Sequence, residues 1–323
     1  MNDEPARAIS SRRVTDDRST NARPPIKSAG GKTKLLPELL ARVPLSFRGY
    51  HEPFVGGGAL FWALAAQGDR RQMLSTKLFP SAPIFATHLA RLTDTNEPLI
   101  LVYQALQDGL VENVIKTLHR MPNTKEFFLE TRERFSDAIQ ASPLGRGQIA
   151  DDVRIAAMFI YLNKSCFNGL YRVNQSGRFN VPFGGYDRPL SVTKIDEANL
   201  RACATVLNAH KTEIEAASFE SILDYAKKDD FAFFDPPYLP VSKTSNFATY
   251  SKDVFRLADH ERLRDVLLEL KRRGVHVLLS NSDSEITRDL YSDPCFRGEA
   301  IQAPRSINSV GSKRGNVSEL VVR

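Results

Sequence analysis

Cysteine is scarce in this chain, with three among 323 residues, at positions 166, 203 and 295. They form no CxxC pair and no ladder of paired spacings. That excludes a disulfide-stapled scaffold and suits a reducing cytosol. The six histidines show neither HExxH nor HxH spacing, so the sequence points to no metal site. No stretch approaches the ~20 apolar residues of a membrane-spanning helix. The N-terminus is polar through Asn21 and lacks the apolar region of a secretory signal. No internal repeat is present.

What remains is ordinary in bulk. Hydrophobic residues make up 42% and charged residues 25%, enough to bury the core of one large α/β domain or of a catalytic domain with a smaller insert. The net charge of +6 is compatible with a polyanionic partner, but many proteins without one are as basic.

Residues 1–23 are rich in Arg, Ser, Asp and Asn without hydrophobic periodicity and read as a disordered leader. Helical spacing then appears at 33–42, a short strand near 50–52, a glycine turn at 56–58 and a helix at 59–66. Residues 68–92 read as an irregular insertion whose closing run, 89–92, makes a poor strand. Helices are expected at 98–106, 111–118, 125–135 and 149–162. Residues 163–186 change character, being dense in Asn, Gly, Arg and aromatics, which marks a long ordered loop. Alternation returns with a helix at 196–207, a strand near 211–214, a helix at 219–226 and a strand at 231–234. A loop at 239–251 leads to a helix at 257–273, a strand at 276–280, a helix at 285–291 and a tail, 300–323, that ends in a hairpin. Alternating strands and helices argue for a doubly wound, mostly parallel sheet.

The most informative segment is Phe234-Asp235-Pro236-Pro237-Tyr238, which closes the apolar run Phe231-Ala232-Phe233. The run has the length of a buried parallel strand, and the prolines stop it and stiffen the turn. Ligands of open α/β sheets bind beyond the carboxyl ends of strands. A carboxylate, a carbonyl and an aromatic face are therefore held where chemistry is done; an ordinary Asp-Pro turn is the competing explanation. Glu52-Pro53-Phe54-Val55-Gly56-Gly57-Gly58-Ala59 lets a ligand approach the backbone at a helix N-terminus, although GxGxxG is not met. Ala29-Gly30-Gly31-Lys32 fails as a P-loop, because Ile26 stands where the opening glycine belongs. Asp94-Thr95-Asn96-Glu97 offers either an acid for ribose hydroxyls at the end of a second strand or a helix N-cap. The segment from Ser165 through Arg172 to Gly184 interleaves Asn and Arg, which reach base edges, with aromatics that stack.

In their order, AGGK, PFVGGGA, DTN, CFNGLYRVNQSGRFNVPFG and FFDPPY, followed by residues 246–250, 280–283 and 305–308, the chain resembles the Dam-type (alpha-group, D12 class) DNA adenine-N6 methyltransferases. The resemblance runs from about Ile26 to the C-terminus. It implies an S-adenosylmethionine-dependent methyltransferase sheet (residues 24–106 and 187–323) with a smaller, mainly helical target-recognition domain (107–186). It also implies methyl transfer from S-adenosyl-L-methionine to N6 of a flipped adenine in double-stranded DNA, at GATC or a related short site. Asp235, Pro236, Pro237 and Tyr238 match the catalytic motif. Ser28, Lys32, Phe54, Gly56, Asp94 and Asp235 match cofactor positions, and Phe167, Asn168, Leu170, Arg172, Pro182 and Tyr186 match DNA-contacting ones. Such an enzyme is prokaryotic or phage-encoded, cytoplasmic and DNA-associated. It works alone or beside a separate restriction endonuclease, with no metal and no membrane.

Three positions depart from the family pattern: Ser28 replaces an aromatic, the 68–94 stretch is long, and Gly185 replaces a basic residue of close Dam relatives. A dinucleotide-dependent oxidoreductase would show GxGxxG and no DPPY, the reverse of this chain. A decayed, DNA-binding relic would have lost Asp235, Tyr238 or Asp94. Methylation of RNA or a protein amide goes more commonly with Asn in place of Asp235.

Overall fold

The computed structural model describes residues 22–28, 30–73, 89–141, 149–185, 195–209, 212–239, 255–304 and 316–323. Residues 1–21 of the expected leader and the stretches 74–88, 240–254 and 305–315 lie outside the described residues, as does Tyr186. The last two leader residues are ordered, Ala22 being buried and the Arg23 backbone bonded to the Asn199 side chain at 2.8 and 2.9 Å.

A short 3-10 turn, Lys32–Lys34, precedes α1 (Leu36–Leu40), β1 (Tyr50–Glu52) and α2 (Ala59–Met73). β2 (Ala90–Asp94) and α3 (Glu97–Gln107) follow, then the helices α4 (Val111–Leu118), α5 (Lys125–Ala141) and α6 (Ile149–Ser165). After the loop come α7 (Glu197–Ala209), β3 (Glu213–Ala216), a 3-10 helix (Phe219–Asp224) and β4 (Phe231–Phe234). The chain ends with α8 (Leu257–Arg272), β5 (His276–Ser282), α9 (Glu285–Leu290), β6 (Gly298–Pro304) and β7 (Asn316–Val322). Among the described residues the strands form one seven-stranded sheet in the order β3-β2-β1-β4-β5-β7-β6. The first five are parallel; β7 runs antiparallel between β5 and β6.

The expected α/β class and mostly parallel sheet are therefore present. β1 and β4 are buried along their whole length, as strands covered on both faces must be. The helix expected at 125–135 runs on to Ala141, and the one expected at 219–226 is a 3-10 helix ending at Asp224. Three further elements differ from expectation for physical reasons. β2 is a full strand, because Arg91 spends its charge at the sheet edge on Glu213 and lays its guanidinium over the Tyr225 ring. That leaves Ala90, Leu92 and Thr93 to be buried. α2 continues past Gly68 to Met73, since a single helical glycine costs only about 1 kcal/mol, so residues 68–73 are helical rather than irregular. α6 runs on to Ser165, with Asn163 buried in its last turn rather than opening a loop.

Chain order sets the site. From β1 the chain moves outward through β2 and β3, then returns to β4 on the other side of β1. The β1/β4 boundary is thus the point where strand order reverses, and the crevice for ligands lies outside the carboxyl ends there. α6 packs against α3, α4 and α5. One apolar cluster runs from Leu60 and Tyr103 near the sheet to Phe128, Phe159 and Phe179 in the helical region.

Candidate active site

Three strand ends converge on one cleft of about 1640 Å³, larger than the ~300–1,000 Å³ of a single small-ligand site. β1 delivers Glu52 and the glycine loop, β2 delivers Asp94, and β4 delivers Asp235 to Tyr238. The loop is pinned from several sides. The Gly56 N–H donates to Asp94 Oδ2 at 3.0 Å, Tyr103 donates to the Gly56 carbonyl at 3.0 Å, and Trp62 Nε1 donates to the Gly57 carbonyl at 3.1 Å. Gly58 has φ +66° and a Cβ there would meet Trp62 Nε1 at 3.0 Å and Tyr103 at 3.1 Å, so glycine is required twice over.

Asp94 is the acid at the end of a strand and not a helix cap. Its Oδ1 accepts from the Asn96 N–H at 3.0 Å, while Asn96 itself caps α3 by accepting from the Leu99 N–H at 3.3 Å. Phe54 forms an aromatic wall, stacked on Phe219 at 5.5 Å and met edge-on by Phe255 at 5.6 Å. Ser28 lies against the loop, since a Cβ on Gly56 would come within 3.2 Å of its hydroxyl oxygen.

Lys32 is buried, and its Nζ lies 2.8 Å from Asp235 Oδ1, 3.0 Å from the Gly30 carbonyl and 4.5 Å from the Tyr238 ring centre. Burial pushes the Asp235 carboxyl above its ordinary range, Lys32 pulls it back, and Glu319 adds to the push. Tyr238 donates to Glu319 Oε2 at 2.6 Å and shares a 2.6 Å hydrogen bond with the Ser280 hydroxyl. Burial, with Asp235 and Glu319 nearby, holds its phenol protonated. Glu52 accepts from Tyr50 at 2.7 Å. Burial raises its carboxyl to about 8, with repulsion from Asp235 and Asp94 adding to the shift. Glu52, Asp94 and Asp235 thus face the cleft from the strand ends, with Lys32 as the buried counter-charge to Asp235, an arrangement suited to a ligand that brings hydroxyl donors and positive charge to the two aspartates.

The recognition candidates are arranged differently. Asn163 binds both the N–H and the carbonyl of Lys27 at 2.8 Å and the Gly169 carbonyl at 2.9 Å. This fastens the segment after α6 to the strand of chain that carries Ser28 and Lys32. Asn168, exposed and at φ 57°, is thereby brought to the cleft, with Tyr171 and Lys164. Phe167, Leu170, Arg172 and Pro182 do not line it. Phe167, Arg172 and Pro182 are exposed, and Arg172 Nε donates to Asn180 Oδ1 at 2.8 Å. A Cβ at Gly185 would strike the Phe183 ring at 2.5 Å, so a basic side chain there requires that ring to move.

Sequence reasoning assigned no role to Glu52, Asn163, Ser280 or Glu319. Glu52 and Ser280 lie in motifs already singled out. Glu319 carried no signal, being one acid in a C-terminal strand. Among the described residues no group of His, Cys, Asp and Glu is placed to hold a metal ion, and no helix is long and apolar enough to cross a membrane.

Comparison with known proteins agrees with this geometry. The sequence profile of the D12 class N6 adenine-specific DNA methyltransferases matches residues 28–307. The type II methyltransferase M1.LlaDCHI of Lactococcus lactis subsp. cremoris is 36% identical over 304 residues, covering 94% of this chain and 95% of that protein. The type II methyltransferase M.MjaIII of Methanocaldococcus jannaschii is 33% identical over 317 residues, covering 93% and 98%. The DNA adenine methylase of Vibrio cholerae serotype O1 is 32% identical over 298 residues, covering 92% and 94%.

Proposed function

The chain belongs to the D12 class of N6 adenine-specific DNA methyltransferases, and on that premise we propose that it methylates N6 of an adenine flipped out of duplex DNA, within GATC or a related short site, using S-adenosyl-L-methionine. The observation that carries this reading is the common cleft: Asp235 to Tyr238 open into the same space as the glycine loop and Asp94.

The residues present fit that cofactor. Asp94 keeps carboxylate lone pairs beyond the two backbone N–H groups it accepts, enough for ribose hydroxyls. Phe54 offers a flat wall, and Gly56, with Ser28 beside it, allows close approach. The carboxylates of Asp94 and Asp235 favour a cationic sulfonium, while Lys32 keeps Asp235 from an uncompensated burial. When bound, the cofactor supplies an electrophilic methyl group.

The exocyclic nitrogen of adenine is a weak nucleophile because its lone pair is delocalised into the ring. Lys32 already bonds Asp235 Oδ1, which leaves Oδ2 the freer acceptor for one N6–H, and the Pro236 carbonyl accepts the other. Two acceptors placed this way favour a pyramidal nitrogen with its lone pair directed across the cleft. Pro237 stiffens the turn, and the Tyr238 ring gives the adenine a surface to stack on. Flipping costs about a few kcal/mol. Contacts from Phe167, Asn168, Leu170, Arg172 and Pro182, with Tyr186 beside them in sequence, offset that cost at the cognate site. In this reading residues 24–106 and 187–323 form the catalytic domain and 107–186 the target-recognition domain. The relatives include type II methyltransferases and DNA adenine methylases, so the enzyme acts alone or beside a separate restriction endonuclease.

The test is transfer of labelled methyl from S-adenosyl-L-methionine into two duplexes, one with GATC sites and one without. Incorporation confined to the GATC duplex is expected. Equal incorporation into both would discard the target and keep the reaction. Failure with both duplexes and with unmethylated genomic DNA would discard the reaction.

A further inference from the structure

Tyr238 is gripped from its hydroxyl end by two side chains on different strands. β7 lies antiparallel between β5 and β6, and its register sets Glu319 opposite Ser282 at the carboxyl end of β5. From there the Glu319 carboxylate accepts the Tyr238 hydroxyl at 2.6 Å, while Ser280, two residues back in β5, lies 2.6 Å from the same hydroxyl oxygen. The Ser280 hydroxyl also donates to Glu319 Oε2 at 3.3 Å, so the carboxylate is the common acceptor of a three-membered cluster in which Tyr238 and Ser280 support one another.

We propose that Glu319, with Ser280, is a positioning residue for methyl transfer: it sets the plane of the Tyr238 ring, and through that ring the angle at which adenine presents N6 to Asp235 and Pro236. The proposal rests on Tyr238 being the residue on which adenine stacks. The backbone beyond the turn is already held by the same strand: Asn281 Oδ1 accepts from the Leu239 N–H at 3.4 Å and Ser282 donates to the Leu239 carbonyl at 2.8 Å. Those bonds hold the backbone without holding the ring, which is held at one face by Lys32 Nζ, 4.5 Å from its centre, and at its far end by its hydroxyl. Strand pairing at residue 319 uses only backbone groups and asks for no carboxylate. An acid here also pushes against Asp235, an expense that strand formation does not explain.

Methyl transfer to unmethylated genomic DNA, the KM for that DNA, and melting temperature are to be measured for the wild type, Tyr238→Ala, Tyr238→Phe, Glu319→Gln, Ser280→Ala and the Tyr238→Phe/Glu319→Gln double variant. Glu319→Gln is expected to lower kcat about 10- to 100-fold with KM and melting temperature close to wild type. Tyr238→Phe, which removes the hydroxyl and keeps the ring, should lose a similar factor. The double variant should be no slower than Tyr238→Phe alone, because both changes cut one link. A purely structural role for Glu319 would instead multiply the two losses and lower the melting temperature, which overturns the proposal. Should Glu319→Gln fold poorly, Ser280→Ala carries the same expectation of lowered kcat at unchanged KM, and a normal kcat there overturns it. Loss in Tyr238→Ala with normal rates in Tyr238→Phe and Glu319→Gln overturns the positioning role alone. A normal rate in Tyr238→Ala overturns the stacking reading as well.

Discussion

In the cleft, polar side chains are half-buried and tied to partners far along the chain: Asp94 holds the backbone of Gly56, 38 residues away, and Tyr238 holds Glu319, 81 residues away. In the recognition segment, Arg172 is exposed and bonded to Asn180, only eight residues away. The first arrangement is preorganised, and it costs nothing to assemble at the moment of reaction. The second is a surface contact of small worth that a base edge or phosphate can replace. Under the proposed assignment the chemical groups sit at the strand ends and most recognition candidates outside the cleft; Asn168 reaches it, and Asn163 fastens the chain before Lys32 to Gly169.

Changes in one region should therefore spare the other. The largest effect is expected of Asp235→Ala: methyl transfer falls by about 10³-fold or more while duplex affinity, read by fluorescence anisotropy, stays near wild type. Loss of duplex binding in that variant would break the separation. Next is Glu52→Gln, read by thermal melting without cofactor. The native carboxyl lies at about 8 against an ordinary 4.5, so between those values the native state binds more protons than the unfolded state, and stability falls as pH rises. The amide cannot ionise. The variant should gain up to a few kcal/mol over wild type at pH 8 and little at pH 5. A gain of equal size at both would show that Glu52 is not ionising against its surroundings.

Arg172→Ala should weaken cognate duplex binding by about 1–3 kcal/mol and leave cofactor affinity, read by calorimetry, unchanged; a parallel loss of both would couple the regions. Asp94→Asn is expected to raise the cofactor Kd about 10-fold, the worth of a charge-assisted hydrogen bond. Duplex affinity without cofactor should hold.

Much of this was legible in the chain. FFDPPY announces a buried strand and its turn because four consecutive apolar residues have no solvent face to offer, and prolines cannot extend a ladder. Asp94 was harder. Its strand contains Arg91, which the sequence cannot show to be neutralised by Glu213 and covered by Tyr225 from elsewhere in the chain. The extent of α2 past Gly68 was masked by a residue that is only mildly unfavourable in a helix. Asn163 read as the start of a polar loop, because nothing local reveals that its amide is spent on Lys27.

By itself the sequence determined the class of fold, the order of the chemical segments, and the pairing of a carboxylate, a carbonyl and an aromatic ring at residues 235–238. Those depend on periodicity, proline and glycine, which act within a few residues. Only the tertiary structure decided that Lys32 neutralises Asp235, that Glu52 is held against ionising, and that Glu319 grips Tyr238. Such effects arise where strands distant in sequence end side by side in a cleft of low dielectric, and burial there turns short distances into strong interactions.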